Sequence, residues 1–177
     1  MRTFVALELP DAFVDQAAGV ARCLSECIQG RFMKRDTYHL TLAFIGEADE
    51  RDVAAAADAI DAACAGCERI PVRSSGLGKF GRAHDATLWL GIAHDPALMG
   101  LAERVRENLA ARGVPFDGKA FKPHLTLARR ARIPKGPLPD LAFPEPAAAI
   151  AATLFKSTLS HDGATYKPLH RVELEGV

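Results

Sequence analysis

The sequence predicts an α+β protein of bilobal form: two pseudo-symmetric lobes, each an antiparallel sheet with outer helices, and an active-site cleft between them. Two observations lead to this. His-Leu-Thr-Leu occurs twice, at His39–Leu42 and at His124–Leu127, in a chain with only six histidines. Around each copy, stretches of two-residue apolar alternation exchange with stretches of helical spacing, so each half carries strands and helix. Successive strand side chains point to opposite faces, so His and Thr share one face and the leucines the other. Each copy therefore presents an imidazole and a hydroxyl side by side over a buried leucine pair. Brought together, the two strands line a cleft with two histidines and two threonines, a site suited to acid–base chemistry on an anion.

In chain order, Arg2–Leu9 reads as a strand, stopped by Pro10-Asp11, which also suits a helix start. Phe13–Ile28 repeats apolar residues near helical spacing and ends at Gly30. Arg31, Lys34 and Arg35 lead into the first motif strand, Tyr38–Phe44, closed by Gly46. Asp49–Cys64 predicts a second helix, acidic at its front as the helix dipole prefers and Ala-rich behind. Arg69–Ser75 and Ala86–Ala93 predict a hairpin around the glycine-rich run Gly76–Gly81. That run is formally a G-x-G-x-x-G, but a dinucleotide site needs it to open a helix, and here a strand follows. Asp95–Arg112 predicts a third helix capped by Gly113. The second motif stretch, Phe121–Arg130, precedes a Pro-rich loop (Ile133–Pro146) and two closing strands, Ala147–Ser160 and Tyr166–Leu174.

A chain of 177 residues suits one domain, 1–177, with two lobes. Zero formal net charge argues against a general nucleic-acid or membrane-surface binder, so any polyanion recognition is local. The N-terminus lacks the pattern of a signal peptide, and no run approaches the ~18–20 apolar residues of a membrane span, which predicts a cytoplasmic protein. Cys23, Cys27, Cys64 and Cys67 include a C-x-x-C. They fall in Ala-rich helical segments without knuckle turns and read as small buried residues rather than a zinc or redox site. No carboxylate accompanies either histidine motif at ligand spacing, so no metal or other cofactor is expected. No helix shows a spare apolar stripe, so a monomer is expected.

His39 and His124 are the candidate acid–base pair, because an imidazole pKa of ~6.5 leaves both forms available near neutrality. Thr41 and Thr126 suit strands by propensity alone, and as hydroxyl donors they also suit non-bridging phosphate oxygens. Arg129 lies five residues after His124, an odd offset that points it away in a regular strand. A bulge or the strand's end would bring it back, and its planar fork suits a phosphate. Lys119–Lys135 also holds Lys122, Arg130 and Arg132 and no acidic residue, a local basic patch.

The doubled H-x-T-x, the opening RTFVALELP, the FKPHLTLAR block and the late LFKSTL…GATY run resemble the RNA 2′,3′-cyclic phosphodiesterases of the two-histidine (2H) phosphoesterase superfamily, also called 2′-5′ RNA ligases. The resemblance spans the chain, with no departure at the four motif positions. It implies a metal-independent opening of a terminal 2′,3′-cyclic phosphate on RNA to a 2′-phosphate, with 2′-5′ ligation as the reverse. It makes His39 the proton donor and His124 the proton acceptor, with Thr41, Thr126 and Arg129 binding substrate. Residues alone leave two alternatives: a cyclic phosphodiesterase of small nucleotides, and a non-catalytic module that grips RNA ends.

Overall fold

The two motif strands belong to different sheets that share one core. In the computed structural model, which describes residues 1–176, the first sheet has the order β10-β9-β1-β3 and the second β2-β7-β6-β5. The first contains β1 (Arg2–Glu8), β3 (Leu40–Glu47), β9 (Ala151–Ser160) and β10 (Gly163–Glu173). The second contains β2 (Gln29–Phe32), β5 (Ser74–Arg82), β6 (Asp85–Ile92) and β7 (His124–Arg132). A short ribbon, β4 (Ile70–Val72) with β8 (Ala147–Ala149), stands apart, and every pairing among named strands is antiparallel.

The expected α+β, two-sheet architecture is present, but the lobes are not the two halves of the chain. β2 crosses from the N-terminal half into the second sheet, while β9 and β10 return from the C-terminus to the first. The motif strands also differ in place: β3 is an edge strand, whereas β7 lies between β2 and β6.

Three helices complete the core. α1 (Asp11–Ser25) buries Phe13, Val14, Ala17, Val20, Ala21 and Leu24, a stripe at helical spacing. α2 (Glu50–Cys64) starts with a reciprocal capping box between Asp49 and Asp52 and buries Ile60 among alanines. α3 (Pro96–Ala111) is capped by the Asp95 side chain, has Pro at its first turn and buries Leu98, Leu101, Val105 and Leu109. No helix among the described residues is long and apolar enough to cross a membrane.

Leu40, Leu42, Leu125 and Leu127, two from each motif, are fully buried in the same apolar cluster. At roughly 1.5–3 kcal/mol per buried leucine, this burial outweighs any single surface interaction. It fixes the opposite faces of β3 and β7 as the ones that carry His and Thr.

Two sequence expectations change here. The helix predicted to reach Ile28 ends at Ser25, and Gly30 lies within β2 instead of capping it. There the backbones run close: a Cβ on Gly30 would stand 3.0 Å from Ala131 Cα. The run Gly76–Gly81 is not a turn but most of β5, and the hairpin turn falls at Ala83-His84. Gly78 makes room there, since a Cβ on it would come 2.1 Å from Trp89 Cη2. A helix does not follow, so the dinucleotide reading fails as expected. Gly78→Ala therefore forces the Trp89 ring aside and should lower stability by about 1–3 kcal/mol, read as a lower urea midpoint at unchanged slope.

Candidate active site

His39 sits immediately before β3 and His124 opens β7, and both rings line one cleft of about 580 Å³. The local backbone treats them alike. His39 Nδ1 lies 3.1 Å from the Thr37 carbonyl oxygen, and His124 Nδ1 makes the same bond, two residues back, to the Lys122 carbonyl. A carbonyl oxygen only accepts, so each neutral ring carries its proton on Nδ1 and keeps the Nε2 lone pair for the cleft.

Their packing differs. His39 is held among aromatic rings, with centroids 4.5 Å from Phe155 and 5.3 Å from Tyr166. Phe4, stacked on Phe155, completes the small apolar cluster beneath it. His124 meets the Phe80 ring edge-on at 5.1 Å and Trp89 at 5.8 Å. Rings fixed this way lose little further freedom on meeting a substrate.

Burial, which removes water from the charged form, lowers the proton affinity of both imidazoles below that of a free ring. The carbonyl bonds oppose this in each case. The remaining charges act in opposite directions: Glu8 and Asp36 favour the cation at His39, whereas Arg129 disfavours it at His124.

Thr41, Thr126 and Arg129 line the same cleft. Arg129 reaches it through the bulge that its odd offset required. Leu127 and Ala128 are consecutive buried residues, and the pairing of β7 with β6 slips on both sides of Leu88. The slip inverts the alternation, so His124, Thr126 and Arg129 all border the cleft. Just beyond, Arg130 takes a left-handed φ of 50° where β7 also shifts against β2.

All five residues singled out in the sequence thus converge. The sequence reading missed the cleft's cationic rim of Arg2, Arg31 and Lys34, and the aromatic support of Phe4 and Tyr166. Arg31 and Lys34 stand just before the first motif, a detectable signal. Arg2 and Tyr166 come from β1 and β10, and only the sheet order brings them in. Lys122 meets the site through its carbonyl, which accepts from His124 Nδ1, whereas Arg130 and Arg132 face solvent. The four cysteines are free thiols, but against the expectation only Cys64 is buried, its thiol pushed up to about 11 by desolvation, while Cys23 and Cys27 are exposed and Cys67 is partly so.

The two-sheet α+β fold carries one His-x-Thr strand on each sheet, as the resemblance to the two-histidine phosphoesterases led one to expect. Residues 8–154 match the model of the 2′-5′ RNA ligase superfamily, and the chain belongs to that family. It is similar to the RNA 2′,3′-cyclic phosphodiesterase of Thermotoga maritima, 29% identical with 99% of this chain and 97% of the relative covered. The Escherichia coli protein of the same name is 30% identical, with 96% and 94% covered. The crystal structure of apo E. coli LigT superposes with a TM-score of 0.82 at 26% identity, covering 98% of this chain and 96% of that one.

Removing the Arg129 charge should let His124 protonate more readily. In a histidine-ring NMR titration, Arg129→Ala is expected to move the His124 midpoint up toward ~6.5 and to leave His39 within a few tenths of a unit.

Proposed function

We propose that this protein is a metal-independent RNA 2′,3′-cyclic phosphodiesterase that opens a terminal cyclic phosphate to a 2′-phosphate, residues 1–177 acting as one catalytic domain. The observation that carries the reading is the matched pair of imidazoles, each tied through Nδ1 and each with Nε2 free, on opposite sheets of one cleft. Gripping an anion needs cations alone; two positioned proton carriers suit an in-line displacement.

In this reading water attacks phosphorus and gives its proton to His124 Nε2 as the P–O3′ bond breaks. The departing O3′ takes a proton from His39 Nε2. Arg129 and the Thr41 and Thr126 hydroxyls hold the non-bridging oxygens, where charge accumulates in the pentacoordinate transition state. The electrostatics favour this division of roles. Burial disfavours the cation on both rings; beyond it, Arg129 disfavours a proton on His124, as suits a base, whereas Glu8 and Asp36 favour one on His39, as suits an acid. The rim of Arg2, Arg31 and Lys34 supports a polyanionic substrate over a small nucleotide, since the backbone phosphates of an RNA strand have cations to meet. One copy carries every proposed group, which supports a monomer, and action on RNA ends suits a cytoplasmic protein.

The test is conversion of an RNA oligonucleotide ending in 2′,3′-cyclic phosphate, with excess EDTA present. Wild type should yield the 2′-phosphate, and His39→Ala and His124→Ala should each lose about 10²-fold or more in kcat/KM. A silent wild type, or full activity in either variant, contradicts the proposal.

A further inference from the structure

The cleft wall formed by the first sheet changes character along β1. Alternate residues of that strand, Arg2, Phe4, Ala6 and Glu8, share the face on which His39 packs, while Val5 and Leu7 enter the main core. This face therefore runs from a cation to an anion, with the aromatic support of His39 between them. At the Glu8 end the charges are matched within the protein. Glu8 Oε2 accepts from Thr153 Oγ1 at 2.6 Å and from Arg171 Nε at 2.7 Å. Arg171 also donates from Nη1 to Glu173 at 2.8 Å.

At the Arg2 end they are not. Arg2 lies opposite Glu47 on one side and Ser157 on the other, and Ser157 lies opposite Tyr166. The Glu47 carboxylate takes the N-terminal ammonium at 3.2 Å, and no carboxylate pairs with Arg2 among the described residues. Its guanidinium instead lies 5.0 Å over the centre of the Phe44 ring, which holds it in place. Arg2, Ser157 and Tyr166 all line the cleft. Burial raises the proton affinity of the Tyr166 hydroxyl, against the pull of Arg129 and Arg2, so it stays a donor near neutrality. The three form a row of donors one step of two residues, about 7 Å, beyond the Phe4–Phe155 pair that supports His39.

The proposed reaction says what reaches this row. His39 protonates the departing O3′, so the ribose that carries O3′ rests on the His39 side, against the first sheet. Its C5′ leads to the preceding phosphate, one nucleotide of backbone away. Toward Glu8 that phosphate would meet a carboxylate; toward Arg2 it meets a guanidinium and two hydroxyls. We infer that Arg2, Ser157 and Tyr166 form a second phosphate site, which takes the phosphodiester on the 5′ side of the terminal nucleotide. The cleft then holds two anions at a fixed spacing, the cyclic phosphate between the histidines and its neighbour at Arg2. Such a site selects the end of an RNA chain over a lone nucleoside 2′,3′-cyclic phosphate, because only the chain end carries the second anion.

The inference rests on the cyclic phosphodiesterase reading, and a matched pair of substrates separates the two. Both are dinucleotides with a 2′-deoxy first nucleoside and a terminal 2′,3′-cyclic phosphate. One has an ordinary phosphodiester between its nucleosides, the other an uncharged methylphosphonate. For wild type, kcat/KM should favour the charged dinucleotide by about tenfold or more. Arg2→Gln should bring that ratio to within about twofold of one, and Tyr166→Phe should lower it by about threefold or more. Arg51→Gln, which removes an exposed positive charge from α2, should keep the wild-type ratio. A wild-type ratio near one overturns the inference and leaves the hydrolase reading intact. So does an unchanged ratio in Arg2→Gln or Tyr166→Phe, or a ratio lowered as far by Arg51→Gln as by Arg2→Gln. No hydrolysis of either dinucleotide by wild type overturns both.

Discussion

Burial of four leucines in a single core is the constraint on which the site depends. Leu40, Leu42, Leu125 and Leu127 come from two sheets, yet all four lie in one cluster. Because strand side chains alternate strictly, sinking the leucines leaves His and Thr no face but the cleft. A slip of one residue in either strand would send both leucines outward and both polar groups into the core. Register and active-site geometry are therefore set by the same burial energy. The histidines need no large polar network of their own, only a carbonyl bond each.

Where strict alternation is insufficient, the chain breaks it. Arg129 belongs to the wrong face of β7 until the bulge at Leu127–Ala128 shifts the phase. The resulting asymmetry gives two identical motifs different tendencies. Burial, the largest influence, acts alike on both imidazoles, while Arg129 disfavours the cation on one and Glu8 and Asp36 favour it on the other. The same asymmetry extends outward, because a second cavity opens beside His124 and not beside His39. A repeat in sequence has become a directional site in space.

Much of this was legible in the sequence, for identifiable reasons. The doubled motif with its leucine alternation implied both the sheets and the shared face, and His39, Thr41, His124 and Thr126 follow from it. The odd offset of Arg129 already called for a bulge. The helices were readable from apolar spacing and caps to within a few residues. What stayed hidden depends on long-range pairing. That β2 pairs with β7, and β9 with β1, cannot be read from local pattern, so sequence alone suggests lobes that are halves of the chain. Gly76–Gly81 resembled a turn although it runs inside β5, where Gly78 leaves room for the Trp89 ring and Gly76 and Gly81 take positive φ. The rim cations and the Phe4–Phe155–Tyr166 support come from strands distant in sequence, and only sheet order makes them neighbours.

The central claim is that one histidine acts as base and the other as acid. The pH dependence of kcat/KM for an RNA ending in 2′,3′-cyclic phosphate tests it most directly, in wild type and in each single-histidine variant. Burial lowers the proton affinity of both rings, so the wild-type profile should be a bell whose two limbs lie below the ordinary imidazole value of ~6.5. In the residual activity of His124→Ala the acid limb should vanish, and in that of His39→Ala the basic limb should vanish. A bell that keeps both limbs in either variant would contradict the account, because some other group would then be carrying the proton.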